Sequence, residues 1–158
     1  MTSDGSRDFD FLFGAWAVRH RRLKARLAGC DDWAEFAGES TTQPTLGGSG
    51  NIEDNLIHLP EGAYRAVALR SYDAASGNWA IWWLDGRAPH QLDVPVVGRF
   101  EGGVGTFLAD DMFEGRPIKV RFLWRRSDSN YCRWEQAFSA DAGKSWETNW
   151  TMDFRRAS

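Results

Sequence analysis

Residues 10–20 read DFLFGAWAVRH. The first half is a short apolar run that ends at Gly14. From Trp16 the pattern changes: Trp16, Val18, His20 and Arg22 fall on one face of an extended chain, while Ala17, Arg19 and Arg21 fall on the other. A compact apolar turn that switches to a period of two marks entry into a first strand. The segment Phe9–Phe13 is the only helical candidate in the chain and is about one turn long.

Working outward from that stretch, turn signals recur at short intervals: LAGCDD, PTLGGSG, LPEGA, DAASGN, DGRAPH, EGGVG, EGRP, RSDSN and DAGKS. Strands are predicted between them, near 16–24, 33–42, 50–59, 63–72, 78–84, 95–101, 104–112, 116–126, 131–139 and 146–155. About ten short strands in sequence order close naturally into an antiparallel up-and-down β-barrel, which leaves no exposed edge. The expected fold is therefore all-β, with the short N-terminal helical turn plugging the base. A β-sandwich is the competing architecture. One domain is expected over residues 1–158, with residues 1–7 flexible.

The composition suits such a core. The 158 residues are 42% hydrophobic, with nine Trp and ten Phe, which argues against disorder. The net charge of −3 is spread among interspersed acids and bases, so nucleic acid is not expected as the main partner. The local basic run RHRRLKAR (19–26) reads as a solvated strand edge and turn, with an anion contact as the alternative. MTSDGSRDFD lacks a signal-peptide layout, and no apolar run approaches the roughly 20 residues of a spanning helix. A cytoplasmic protein with no membrane partner is expected. Cys30 and Cys132 are isolated and form no metal-ligand spacing, so both should be thiols. Asn149-Trp150-Thr151 fits a glycosylation acceptor but has no meaning without export.

Two hairpins share a pattern, SYDAASGNW (71–79) and SADAGKSW (139–146). In each, an Asp opens the turn, a Gly lies inside it and a Trp starts the next strand. Asp oxygens accept from backbone N–H groups in the turn, and Gly supplies positive φ. The second copy matches the Asp-box pattern of sialidase-like hairpins, where it stabilises a turn. Its Ala-Gly-Lys-Ser also mimics the end of a P-loop, but Phe138 stands where that motif needs its first Gly, so nucleotide binding is rejected.

Alternation assigns the interior. Ile118, Val120, Phe122 and Trp124 share one face of their strand, opposite Lys119, Arg121 and Arg125. Cys132, Trp134, Gln136 and Phe138 share a face of the next, and Trp146, Thr148, Trp150, Met152 and Phe154 share one of the last. The interior is aromatic, interrupted by Gln136 and Thr148. A buried amide without a partner costs on the order of 1–3 kcal/mol, so Gln136 either bonds to the wall or faces a wet cavity or ligand. If Trp16 points inward, so does His20. Tyr64, Ala66, Ala68, Arg70 and Tyr72 share a face, while Val67 and Leu69 share the other. Both faces of Trp79–Leu84 are apolar, which calls for a cover: a loop, the N-terminal segment or a second subunit in a homodimer.

Gly14-Ala15-Trp16 at the start of the first strand resembles the G-x-W signature of lipocalins. That resemblance implies a Trp inside the barrel base beneath an Arg of the last strand, here Arg155 or Arg156. Over nearly its full length the chain resembles an uncharacterised bacterial family of lipocalin-like (calycin superfamily) domains of unknown function. The residues that carry this are DFDFLFGAWAVRHRRLKARLAG (8–29), PTLGGSGN (44–51), PVVGRFEGGVGTF (95–107), FEGRPIKVRFLW (113–124) and RWEQAFSADAGKSWETNW (133–150). The related nitrobindins hold haem through a His near the C-terminal end. This chain has only His20, His58 and His90, so haem does not carry over, and no cofactor is expected.

Few residues in the sequence are arranged for chemistry. No Ser/His/Asp or Cys/His order emerges, and the His and carboxylates show no metal spacing. Glu35, Glu39, Glu53, Asp54, Asp110 and Asp111 read as turn or solvated strand positions. The first expectation is a binding barrel for a small, largely apolar molecule. Its walls would be Trp83, Trp124, Trp134 and Trp150, with His20, Arg70 and Gln136 as the orienting polar groups. The alternatives are a lyase or isomerase using His20 as base with Arg22 or Arg70 holding an anion, and an interaction module with a filled core.

Overall fold

Tight turns and strands with a period of two produce ten strands in the computed structural model, which describes residues 4–157. They are β1 (Gly14–Leu23), β2 (Trp33–Thr45), β3 (Gly50–Leu59), β4 (Gly62–Asp73), β5 (Asn78–Asp85), β6 (Val96–Glu101), β7 (Val104–Phe113), β8 (Arg116–Asp128), β9 (Tyr131–Ser139) and β10 (Glu147–Arg156). Each strand pairs antiparallel with its sequence neighbours, and β1 pairs with β10 from Trp16↔Arg156 to Arg22↔Trp150 to close the barrel. Closure satisfies the backbone of what would otherwise be two edge strands. This is the all-β up-and-down barrel expected from the sequence, with strand ends within three residues of their predicted places. No helix among the described residues is long and apolar enough to cross a membrane.

The opening stretch now has a structural meaning. Asp10–Leu12 forms a 3-10 turn that drives Phe9 and Leu12 into the barrel base, both fully buried. Trp16 follows on β1 and donates its indole N–H to the Leu12 carbonyl at 2.8 Å. The Arg156 guanidinium lies 3.9 Å above the Trp16 ring and donates to the carbonyls of Phe11, Phe13 and Ser129. Gly14 joins the turn to the strand at φ +110°, and a Cβ there would meet Arg156 Nη1 at 2.9 Å. So Gly, Trp and the distant Arg form one unit at the base.

Gly5–Arg7, within the segment 1–7 expected to be flexible, forms a 3-10 turn. Gly5 accepts from Trp79 Nε1 at 3.0 Å and donates to the Tyr72 hydroxyl at 3.2 Å, and these bonds tie the turn to β4 and β5. Residues 1–3 lie outside the described residues.

Two inward assignments differ from the simple alternation. In β10 the register slips between Thr148 and Trp150, which makes Asn149 an extra residue. Thr148 therefore pairs with outward Ala137, and Glu147 pairs with inward Phe138. Trp146 lies on the outer side, 4.5 Å beneath the Arg121 guanidinium. Trp146 and Thr148 thus leave the interior face expected of them, and Glu147 joins it. The second correction is Glu53, read as a turn or solvated residue, which is 1% exposed inside the barrel. The inward residues of β3 are Asn51, Glu53, Asn55 and Ile57, so three polar side chains hide the usual apolar signal.

On β5, the strand whose two apolar faces called for a cover, Ala80, Trp82 and Leu84 are half-buried, and the N-terminal segment packs at the base. On the neighbouring strands Ile52, Leu69, Val97 and Leu108 are exposed.

Candidate functional site

The two ends of the barrel are packed differently. At the base, the Phe9 ring meets Trp79 and Phe100 edge-on, with centroids 5.0 and 4.9 Å away, and Trp124 packs against Phe154 at 5.4 Å. Just above this cluster, Arg70 forms a buried ion pair with Glu53. Arg70 also donates to Asn51 Oδ1 at 2.8 Å, and Ser40 donates to Glu53 at 3.0 Å. The guanidinium sits 5.0 Å from the Phe9 ring and 5.1 Å from that of Trp124. The void beside this group measures only about 20 Å³.

At the opposite end a cavity of about 290 Å³ opens between β1, β4, β5, β8, β9 and β10. Its floor is Trp83, Phe122 and Trp134, which also roof the small void below. Trp150 forms part of the wall, edge-on to Trp134 at 5.1 Å and to Trp83 at 5.7 Å. Phe138 and Gln136 line the same side. Arg22, Arg26, Tyr64, Asp85, Arg87 and Asp93 ring the mouth.

The seven expected ligand-contact residues therefore divide. Trp83, Trp134, Gln136 and Trp150 line the cavity. Trp124 and Arg70 lie below its floor, and the Arg70 head group is occupied by Glu53 and Asn51. His20 stands behind the wall: Trp150 Nε1 donates to His20 Nδ1 at 3.1 Å. The ring stacks on Phe36 with centroids 4.9 Å apart. Gly38 leaves room for it, since a Cβ there would come within 2.8 Å of His20 Nε2. Burial, then repulsion from Arg22 and His58, pushes the His20 pKa down to about 3. The ring is neutral, with its proton on Nε2, and its role is to hold the Trp150 indole in place.

Gln136 resolves its own ambiguity in both directions. It lines the cavity, and its amide donates to Asn149 Oδ1 at 2.8 Å. The bulge at Asn149 supplies that wall partner.

The mouth residues were largely missed by the sequence reading. Arg22 stacks 3.8 Å over Trp150 and donates to the Tyr64 hydroxyl at 2.9 Å. Arg87 pairs with Asp85 at 2.7 Å and covers the Tyr64 ring at 3.6 Å. Asp93 is exposed at the rim of the mouth, yet desolvation by the protein around it, then Asp111 and Asp85, push its carboxyl pKa up. The basic run 19–26 splits by face. Arg19, Arg21 and Lys24 pair with Glu35 or Asp32 at the surface, while Arg22 and Arg26 face the cavity. The period of two in β1 held that signal for Arg22. Arg26 lies in the following loop, where no periodicity applies.

Neither cysteine is in a disulfide; burial, then the nearby Glu53 charge, pushes the Cys132 thiol pKa up to about 12. Among the described residues, no group of three or more His, Cys, Asp or Glu could hold a metal ion.

Fold and cavity together define the class: a calycin-like closed barrel, plugged at one end and open at the other. Among solved structures, the crystal structure of Rv2717c from M. tuberculosis matches with a TM-score of 0.64 and 11% identity, over 100% of both chains. At that identity the likeness is one of fold. The structure of EF1p2_mFAP2b bound to DFHBI has a TM-score of 0.49 and 12% identity, covering 96% of this chain and 98% of that one. No protein-family model and no curated protein matches the chain.

Proposed function

We propose that this protein binds a small molecule with an apolar body in the cavity at the mouth of the barrel. The observation that carries this is the contrast inside the barrel between about 20 Å³ of free space beneath the floor and about 290 Å³ above it at the mouth. That volume lies at the small end of the range for ligand sites, roughly 300–1,000 Å³. Three indoles give a ligand large contact area with few rotatable bonds, and Gln136 offers an orienting polar group. Membership of the lipocalin-like family of unknown function is proposed on the residues quoted for it and brings no activity with it.

The lyase or isomerase reading loses its intended base, because His20 is behind the wall with Nδ1 engaged. Asp93, at the mouth with a raised pKa, is the one observation in its favour. The floor itself carries no titratable group, which favours binding over catalysis. The test is intrinsic Trp fluorescence against a panel of fatty acids, aromatics and terpenoids, with mass spectrometry of molecules retained on purification. Saturable signals are expected, weakened by Trp134→Ala or Trp150→Ala. Gln136→Leu should weaken polar ligands more than hydrocarbons. A panel without any saturable signal would remove the proposal.

A further inference from the structure

We infer that the cavity ligand carries a single negative charge, a carboxylate, held at the mouth between Arg22 and Arg26. This rests on the binding reading above and names the class of molecule.

The case begins with two cations that have no carboxylate partner. Among the described residues, no Asp or Glu oxygen lies within 4.0 Å of the Arg22 or Arg26 guanidinium. Arg19 and Arg21, on the outer face of the same strand, each pair with Glu35. Outer arginines such as Arg121 and Arg155 also lack a carboxylate but lie over aromatic rings at the surface, whereas Arg22 and Arg26 line a cavity. Arg22 has donated one N–H to Tyr64, yet its Nε is buried with no partner at all. A buried donor left without an acceptor is costly, and an oxyanion in the cavity would accept from it. Both side chains line the cavity, so such an acceptor has a place to sit.

The chain also fixes both groups in position. Arg22 is held by the Trp150 face and the Tyr64 hydroxyl. Arg26 belongs to the loop between β1 and β2. That loop is pinned by the next residue, whose Leu27 N–H donates to Glu147 Oε1 at 2.7 Å. Glu147 reaches it because the bulge at Asn149 turns Glu147 inward. The two guanidinium groups are close enough to repel: burial first, then Arg22, lowers the Arg26 pKa. An anion between them would relieve that repulsion.

Charge counting sets the valence. The cavity lining holds Arg22, Arg26 and Arg87 against Asp85 and Asp93, so three positive and two negative formal charges leave +1. Asp85 is already paired with Arg87, and Asp93 disfavours a second negative charge on its side. A monocarboxylate with an aromatic body fits both the charge and the indole walls.

The test uses matched probes of one shape: 2-naphthoate, 2-naphthamide and 2-naphthylmethylamine, titrated calorimetrically into the intact protein. The acid should bind at least tenfold tighter than the amide, with affinity falling as salt rises. Arg22→Gln and Arg26→Gln should each weaken the acid about tenfold and leave the amide within twofold. Arg26→Gln lies in a loop outside the core, and the acid–amide comparison needs no variant, so a folding failure of Arg22→Gln leaves the test intact. Equal binding of acid and amide, or tighter binding of the amine, would overturn the carboxylate assignment while keeping the cavity reading. If no probe binds, both are overturned.

Discussion

The base and the mouth of this barrel are built by the same strands under the same alternation, yet they end in opposite states. At the base, Phe9 and Leu12 arrive from outside the sheet and, with Trp16 of β1, fill the space that ten strands enclose. Arg70 meets a buried carboxylate there. At the mouth the loop between β5 and β6 lines the opening without filling it, the aromatic side chains stop at a floor, and Arg22 and Arg26 face the cavity without carboxylate partners. The lesson is that a barrel of this size is closed or open according to what its termini do. The base is filled and the mouth leaves a cavity.

That division can be broken most sharply at the base. Trp16→Ala should destabilise the fold by about 3–5 kcal/mol, measured by chemical denaturation. A loss below about 1 kcal/mol would mean that the plug does not hold the barrel. Glu53→Gln leaves Arg70 charged and unpaired in the interior, and should cost a comparable 3–5 kcal/mol.

His20 connects the two halves and gives the next largest effect, this time through pH. Its folded pKa of about 3 lies below the ordinary 6.5, so the unfolded chain binds a proton that the folded chain refuses. Stability is therefore full above pH 6.5 and falls as pH drops toward 3. At about 1.4 kcal/mol per pH unit, His20 should account for about 3 kcal/mol of loss between pH 7 and 4.5. His20→Gln should remove that share of the pH slope. An unchanged slope would contradict the buried neutral ring.

At the mouth, truncation should cost less stability and more function. Trp83→Ala borders a space already open to water and should cost about 1–2 kcal/mol, while abolishing most of the fluorescence response to ligands. The smallest contrast is chemical. Cys30 is accessible and should alkylate readily in the native protein, whereas buried Cys132 should react only on unfolding.

The barrel was legible because its signals are local. Turn residues punctuate the strands, and on β8 and β9 alternation separates apolar from charged residues cleanly. The Gly14–Trp16 unit was legible through its resemblance to the lipocalin G-x-W signature, which implies an Arg from the last strand, and Arg156 is that residue. The site was legible only in part. Trp134, Gln136 and Trp150 lie on the faces that alternation gave them, and Trp83 lies inward on a strand whose two apolar faces left the choice open. Arg70 was placed inward, but its partner Glu53 was not, because the polar inward residues of β3 leave no apolar stripe. The bulge at Asn149 adds one residue to β10 and reverses the faces beyond it, so Glu147 could not be seen turning inward. Arg26 depends on that reversal through the Leu27 bond, and no local pattern announces such a dependence.

The most direct measurement of the central claim follows the indole N–H signals of all nine tryptophans in two-dimensional 15N–1H NMR spectra during titration with 2-naphthoate. The account expects saturable shifts at Trp83, Trp134 and Trp150, which line the cavity, and little change at Trp16 and Trp79 in the base. Shifts confined to the base or to outward Trp82 and Trp146, or no shifts at millimolar probe, would contradict the division between a filled base and a binding mouth.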